Sequence, residues 1–131
     1  CGGKRPSGFN KGYFYEPTVF DNVKDNFKIM TEEPFGPLTP ILTFKSFEEV
    51  IKKANDQAAG LAGYVCTSSI ELANKTSEAL ETGMVAVNTP FISNAETPFG
   101  GIKQSGYGRE GGSMAIKDYL NIKYTHLGLI G

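Results

Sequence analysis

One histidine, His126, and two cysteines, Cys1 and Cys66, are all the imidazoles and thiols that these 131 residues offer. That supply is too thin for a zinc site, and a Ser-His-Asp triad would have to be built on the single imidazole. No metal site is expected. Two cysteines are also too few for a disulfide scaffold and point to a reducing, cytoplasmic compartment. Excess charge is absent as well. Thirteen Lys and Arg against 14 Asp and Glu leave a formal charge of -1, without the clustered cations that neutralise a phosphate backbone, so nucleic acid is excluded as a partner. No apolar run reaches the roughly 18 to 20 residues that span a bilayer, and the CGGKR opening is no signal peptide. A water-soluble protein with no membrane partner is expected. With 40% hydrophobic residues, disordered and collagen-like classes are excluded, and the length suits about one domain. An initiator Met is missing too, and the abrupt Cys1-Gly2-Gly3 opening carries the expectation of a piece from a longer polypeptide.

What is present alternates between strand and helix signals. Residues 2–12, rich in Gly, Lys and Arg, read as a loop. Residues 13–23 are aromatic and β-branched around Pro17, which favours an edge or interrupted strand. TEEPFGP at 31–37 is turn chemistry, and 38–44 (LTPILTF) reads as a short strand. Ser46 with Glu49 has capping-box spacing and opens a helix to about Asn55. The apolar run 61–67 (LAGYVCT) reads as a strand covered on both faces. Ser68 with Glu71 repeats the capping-box spacing for a second helix to about Thr82, and Gly83 stops it. Residues 84–88 (MVAVN) form a third strand. Strand, helix, strand, helix, strand with short connections predicts an α/β fold on a parallel sheet. From 88 to 108 the chain reads as irregular, followed by a short helix near 110–119 and a final alternating strand at 121–127.

Gly106 to Gly111 matches G-x-G-x-x-G, but no strand precedes its first glycine. Twenty positions on stands His126, where a dinucleotide fingerprint puts an acid for the ribose. Gly101 to Gly106 has phosphate-loop glycine spacing, yet Tyr107 and Gly108 replace the required Lys and Ser or Thr. Both readings fail on context.

Four local patterns are far more specific in combination: YFYEPTVF at 13–20, TEEPFGP at 31–37, GMVAVNT at 83–89 and PFGGIKQSGYGRE at 98–110. In this order and spacing they resemble the C-terminal part of the aldehyde dehydrogenase superfamily, over essentially the whole chain. Within it, ISNAETPFGGIKQSGYGREGG and the ending DYLNIKYTHLGL are most similar to NAD(P)-dependent succinate-semialdehyde dehydrogenases. The resemblance implies that residues 1–120 are the C-terminal part of a catalytic domain and 121–131 the C-terminal strand of an oligomerisation domain. It further implies a full-length homo-oligomer that uses NAD or NADP to oxidise an aldehyde, most similarly succinate semialdehyde, to the acid.

In such enzymes a cysteine attacks the aldehyde, hydride passes to the nicotinamide, and a glutamate activates the water that releases the acid. Neither Cys1 nor Cys66 matches that nucleophile, and Cys66 reads as a small hydrophobe in a strand. The segment alone is therefore expected to be inactive, with no catalytic residue of its own. By the resemblance, Glu33 would accept hydrogen bonds from the nicotinamide-ribose hydroxyls and Phe35 would lie beside the nicotinamide. The alternatives are a solvated turn acid and core packing. Glu32 is read as structural. Ser93 would point its hydroxyl at the substrate's distal carboxylate, against a plain loop serine bonded to backbone. Phe99 would line the substrate tunnel, against burial alone. Asn88, Lys103 and Gln104 are expected to fix loops through backbone bonds. Two rival readings remain beside this one: an aldehyde dehydrogenase for another semialdehyde or aldehyde, and a non-catalytic binding or interaction module.

Overall fold

The computed structural model describes residues 1–131, which form two compact units, Cys1–Gln57 and Ala58–Gly131. In the first, strand β1 (Thr18–Phe20) pairs in parallel with β2 (Leu38–Pro40) in the register Thr18 with Leu38. The anchor is Thr18, the one buried polar residue. Its hydroxyl accepts the Gly3 amide at 2.7 Å and donates to the Glu16 carbonyl at 2.7 Å, so burial leaves no polar atom unpaired. A short 3₁₀ turn, Lys28–Met30, precedes the TEEPFGP segment. Helix α1 (Phe47–Asn55) begins where its sequence predicts: the Glu49 amide donates to Ser46 Oγ at 3.2 Å. Glu49 Oε2 reaches back to the Lys45 amide at 2.9 Å, one residue further than the usual capping box.

In the second unit, β4 (Ala62–Val65) pairs in parallel with β5 (Met84–Val87), and α2 (Ile70–Ala79) is the crossover between them. A short antiparallel pair, β3 (Ala59–Gly60) with β6 (Ile102–Lys103), lies beside this βαβ unit in the chain's second half. Ala73 of α2, which packs on β4, and Met84 and Ala86 of β5 are the buried apolar residues of this unit. The α/β class is thus as the strand and helix pattern indicates.

Several expectations are corrected. The strand at 38–40 finds its parallel partner in β1, so the parallel run of three strands reduces to the β4–β5 pair of this βαβ unit. Within this chain the 61–67 run is covered on one face only: Tyr64 and Cys66 are exposed, while α2 packs on β4. Helix α2 is capped by Ser69 rather than Ser68, with the Leu72 amide on Ser69 Oγ at 3.2 Å, and it ends at Ala79 rather than Thr82. The span 88–108 contains β6. The predicted helix near 110–119 shrinks to a 3₁₀ turn at Ala115–Tyr119. Residues 121–127 form no ladder within this chain, and Ile122, Tyr124 and Leu127 are exposed.

Glu49 also bonds Lys53 at 3.2 Å, and Lys53 lies 3.4 Å from Asp25. The Lys45 amide first, and Lys53 second, hold the Glu49 carboxyl below its ordinary 4.5, while Glu49 raises Lys53 above 10.5. A depressed carboxyl contributes stability above the ordinary value and loses it as pH falls through the depressed one; the raised Lys53 loses its part only as pH rises through its own raised value. An NMR titration should therefore show the Lys45 amide moving with a midpoint below 4.5, and that movement should vanish in Glu49→Gln.

Candidate functional site

The sequence-predicted site residues fall in both units. Glu33 and Phe35 flank Pro34 in the first. There the Gly36 amide donates to the Pro34 carbonyl at 2.9 Å and the Leu38 amide to the Gly36 carbonyl at 2.8 Å. Two successive tight turns lead straight into β2 and fix the backbone that presents both side chains. Phe35 is 94% exposed, so core packing does not account for it within this chain. Glu33 is exposed and its carboxylate takes no bond from the chain. Its neighbour Glu32 is tied to Lys28 at 3.1 Å, which agrees with a structural part for that residue.

Ser93 and Phe99 belong to the second unit and face different cavities. One, of about 490 Å³, is walled by Met84, Val85 and Val87 of β5, with Phe91, Ser93 and Asn94 from the returning loop. Its lining mixes the apolar side chains of β5 with the polar Thr89, Ser93, Asn94 and Thr97, a combination suited to a short stem with a polar end. Ser93 is exposed and its hydroxyl is not engaged by the chain's own backbone. The other cavity, about 330 Å³, is lined by Phe99, Tyr107, Arg109, Asp118 and Tyr119.

The PFGG segment that carries Phe99 is held by an unusual density of bonds. Phe99 and Glu110 exchange both amide-to-carbonyl bonds at 2.7 Å. Arg109 Nη1 donates to the carbonyls of Gly101 and Gly108, at 2.8 and 2.7 Å. The Gly60 amide donates to Ser105 Oγ at 2.9 Å, and the Gln104 amide to the Ala58 carbonyl at 3.0 Å. Lys103 pairs with Glu81 at 2.6 Å. The Arg109 amide is itself spent on Asp118 Oδ2 at 2.8 Å, so the Gly106 to Gly111 stretch closes on a carboxylate and no helix opens from it. That agrees with setting aside the dinucleotide fingerprint.

At Gly83, a β-carbon would collide with the Gly100 carbonyl oxygen and stand 2.7 Å from Gly101 Cα. Glycine is required there by proximity alone. Sequence reasoning did not foresee this contact; the only signal was a glycine directly before an apolar strand, which also reads as a helix stop. The loop-fixing expectation holds for Asn88, whose side chain bonds the Thr67 backbone; the Lys103 side chain pairs with the Glu81 carboxylate, and Gln104 is joined to Ala58 through its own backbone amide.

Among the chain's His, Cys, Asp and Glu side chains, no group of three could hold a metal ion. No helix is long and apolar enough to cross a membrane.

In the full-length protein, Gly83→Ala should lower stability by about 1 to 3 kcal/mol, the usual cost of forcing atoms into a close contact. Gly128→Ala, where a β-carbon meets nothing within 4 Å, should stay within about 0.5 kcal/mol. Denaturant midpoints at unchanged slope check both.

Comparison with known proteins places this geometry. Residues 1–125 match the aldehyde dehydrogenase family. A mitochondrial succinate-semialdehyde dehydrogenase of Arabidopsis thaliana is 50% identical over 97% of this chain and 24% of its own length. The 3-sulfolactaldehyde dehydrogenase of Pseudomonas putida is also 50% identical, over 89% of this chain and 24% of its own. A crystal structure of an E. coli NADP-dependent enzyme superposes with a TM-score of 0.92 at 47% identity, covering 98% of this chain and 26% of that one. The chain therefore spans about a quarter of the length of the relatives it matches. The match over 125 residues, together with the tied PFGG segment, the TEEPFGP turn and the βαβ unit described above, shows that this chain belongs to the aldehyde dehydrogenase family.

Proposed function

We propose that the full-length protein oxidises succinate semialdehyde to succinate with NAD or NADP, and that this chain supplies cofactor and substrate contacts rather than the nucleophile. The observation that carries the reading is the β5 cavity, where an unengaged Ser93 hydroxyl shares the lining with Met84, Val85 and Val87 of the strand. Both relatives named above are called dehydrogenases of aldehydes that bear an acidic group. A hydroxyl donor beside an apolar stem is the chemistry such substrates require. The same donor serves the anionic end of another semialdehyde of similar reach, which is the second reading. Phe99 faces the other cavity, so in this reading its flat apolar surface lines the tunnel apart from the Ser93 cavity.

The chemistry of Glu33 and Phe35 fits the nicotinamide end of the cofactor. Two carboxylate oxygens match two vicinal hydroxyls, and a charged acceptor makes the stronger bond. An exposed aromatic two residues away suits a flat heteroaromatic ring. When bound, the cofactor supplies the hydride acceptor. Glu33 would orient the ribose, and Phe35 would shield the adjoining ring from water. Neither residue distinguishes NAD from NADP.

The protein is further read as cytoplasmic, with Cys1 and Cys66 both free thiols, and as a homo-oligomer. The exposed apolar side chains of 121–131, unpaired within the chain, support an oligomer in which this segment joins a neighbouring sheet.

Two experiments on the full-length enzyme test the reading. Ser93→Ala removes a hydrogen bond to a charged group, about 1.5 to 3 kcal/mol. It should lower kcat/KM for succinate semialdehyde, relative to butanal, by roughly 10 to 150 fold. An unchanged ratio would remove the substrate assignment. Glu33→Gln should slow single-turnover hydride transfer more than it weakens cofactor binding, because bonds to the ribose chiefly position the ring; equal single-turnover rates would refute that role.

A further inference from the structure

Strands β4 and β5 end side by side, and one side chain ties their ends together. Asn88 follows Val87 with φ at 56°, in the left-handed region that only Gly, Asn and Asp enter readily. Its own amide donates to the Val65 carbonyl at 2.8 Å. Its Oδ1 accepts the Thr67 amide at 2.9 Å, and its Nδ2 donates to the Thr67 carbonyl at 2.8 Å. A single carboxamide thus serves both backbone groups of Thr67, which no side chain without both a donor and an acceptor can do.

The tie continues on the other side. Thr67 Oγ1 accepts the Ser69 amide at 3.1 Å, and Ser69 caps α2. The exit of β5 is therefore fixed to the start of the helix that packs on the sheet. The loop that carries Ser93 departs from that point. Thr89 Oγ1 takes the Phe91 amide at 3.1 Å, Asn94 Oδ1 takes the Glu96 amide at 2.9 Å, and the chain turns back to form the β5 cavity. Asn88 is the last residue of β5's exit that bonds back to β4 before this loop begins.

Resting on the Ser93 reading above, we infer that Asn88 is a positioning residue for substrate selection: its clamp on Thr67 holds the loop so that the Ser93 hydroxyl meets the anionic end of the aldehyde. Asn88 touches neither substrate nor cofactor. Its influence travels through loop direction alone.

The test uses the full-length enzyme, with succinate semialdehyde and butanal as substrates. Asn88→Gly keeps the left-handed backbone and removes both bonds. Asn88→Asp keeps the backbone and the bond from the Thr67 amide but loses the donor. Because an ångström of misplacement costs up to about 100-fold, Asn88→Gly should lower the succinate semialdehyde to butanal ratio of kcat/KM by about tenfold or more. The loss should lie in KM for the semialdehyde, and Asn88→Asp, which sets an acceptor against the Thr67 carbonyl, should lower the ratio as well. In the Asn88→Gly background, Ser93→Ala should add less than about twofold to the change in the ratio, since the hydroxyl is already misplaced. An unchanged ratio, an equal loss for both substrates, or a full Ser93→Ala effect in that background would each overturn the inference. Should Asn88→Gly fail to fold, Asn88→Asp carries the same test through the KM split. If Ser93→Ala alone leaves the ratio unchanged, the Ser93 reading fails and the Asn88 inference with it. If Ser93→Ala lowers the ratio and neither Asn88 variant does, only the Asn88 inference fails.

Discussion

Two runs of backbone in the second unit touch with no side chain between them: the entry to β5 at Gly83, and the chain at Gly100 and Gly101. Residues 100–110 are arranged around that contact. It brings β6 to β3, puts Ser105 within reach of the Gly60 amide and gives Arg109 the Gly101 carbonyl to hold. Within this chain, which spans about a quarter of the length of its relatives, few apolar side chains are buried. Only Val23, Ala73, Met84 and Ala86 are buried among the apolar side chains, and small buried groups remove little surface from water. Directed bonds and close backbone approach therefore do much of the organising here.

The same economy explains how the site is divided. The segments that carry Glu33 with Phe35, and Ser93, each follow from a short run of local bonds: two consecutive tight turns in one case, an asparagine clamp and a hydroxyl turn in the other. Local bonds set direction without requiring a deep core. They leave Glu33, Phe35 and Ser93 exposed, as the proposed binding roles require.

How much of this was legible in the sequence depends on whether the controlling interaction was local. The cap of α1 could be read from Ser46 and Glu49, because both partners lie within one turn. At α2 the same signature misled by one residue: Ser68 and Ser69 are adjacent, and Thr67 decides between them by taking the Ser69 amide. The β4–β5 pairing followed from two apolar runs flanking a helix. The β3–β6 pair did not, since two residues carry no period and their partners are more than 40 positions apart. Tyr64 and Cys66 show the limit of hydropathy, because an apolar run tells that a strand exists but not whether both of its faces are covered. For the site, Glu33, Phe35, Ser93 and Phe99 could be named only through family resemblance. An acid, an aromatic or a serine in an irregular stretch has no pattern that separates it from an ordinary loop residue.

The multiple ties across residues 99–110 also bear on how this stretch can change in length. Its ends are joined by the Phe99–Glu110 backbone pair, its middle is fastened through Ser105, and Arg109 closes it from within. An inserted residue has nowhere to bulge without releasing one of these fastenings, so insertions and deletions should be purged here even where substitutions are tolerated. The segment after Tyr119, with no such ties inside the chain, is free to drift in length among descendants of the same ancestor so far as this chain's own contacts are concerned.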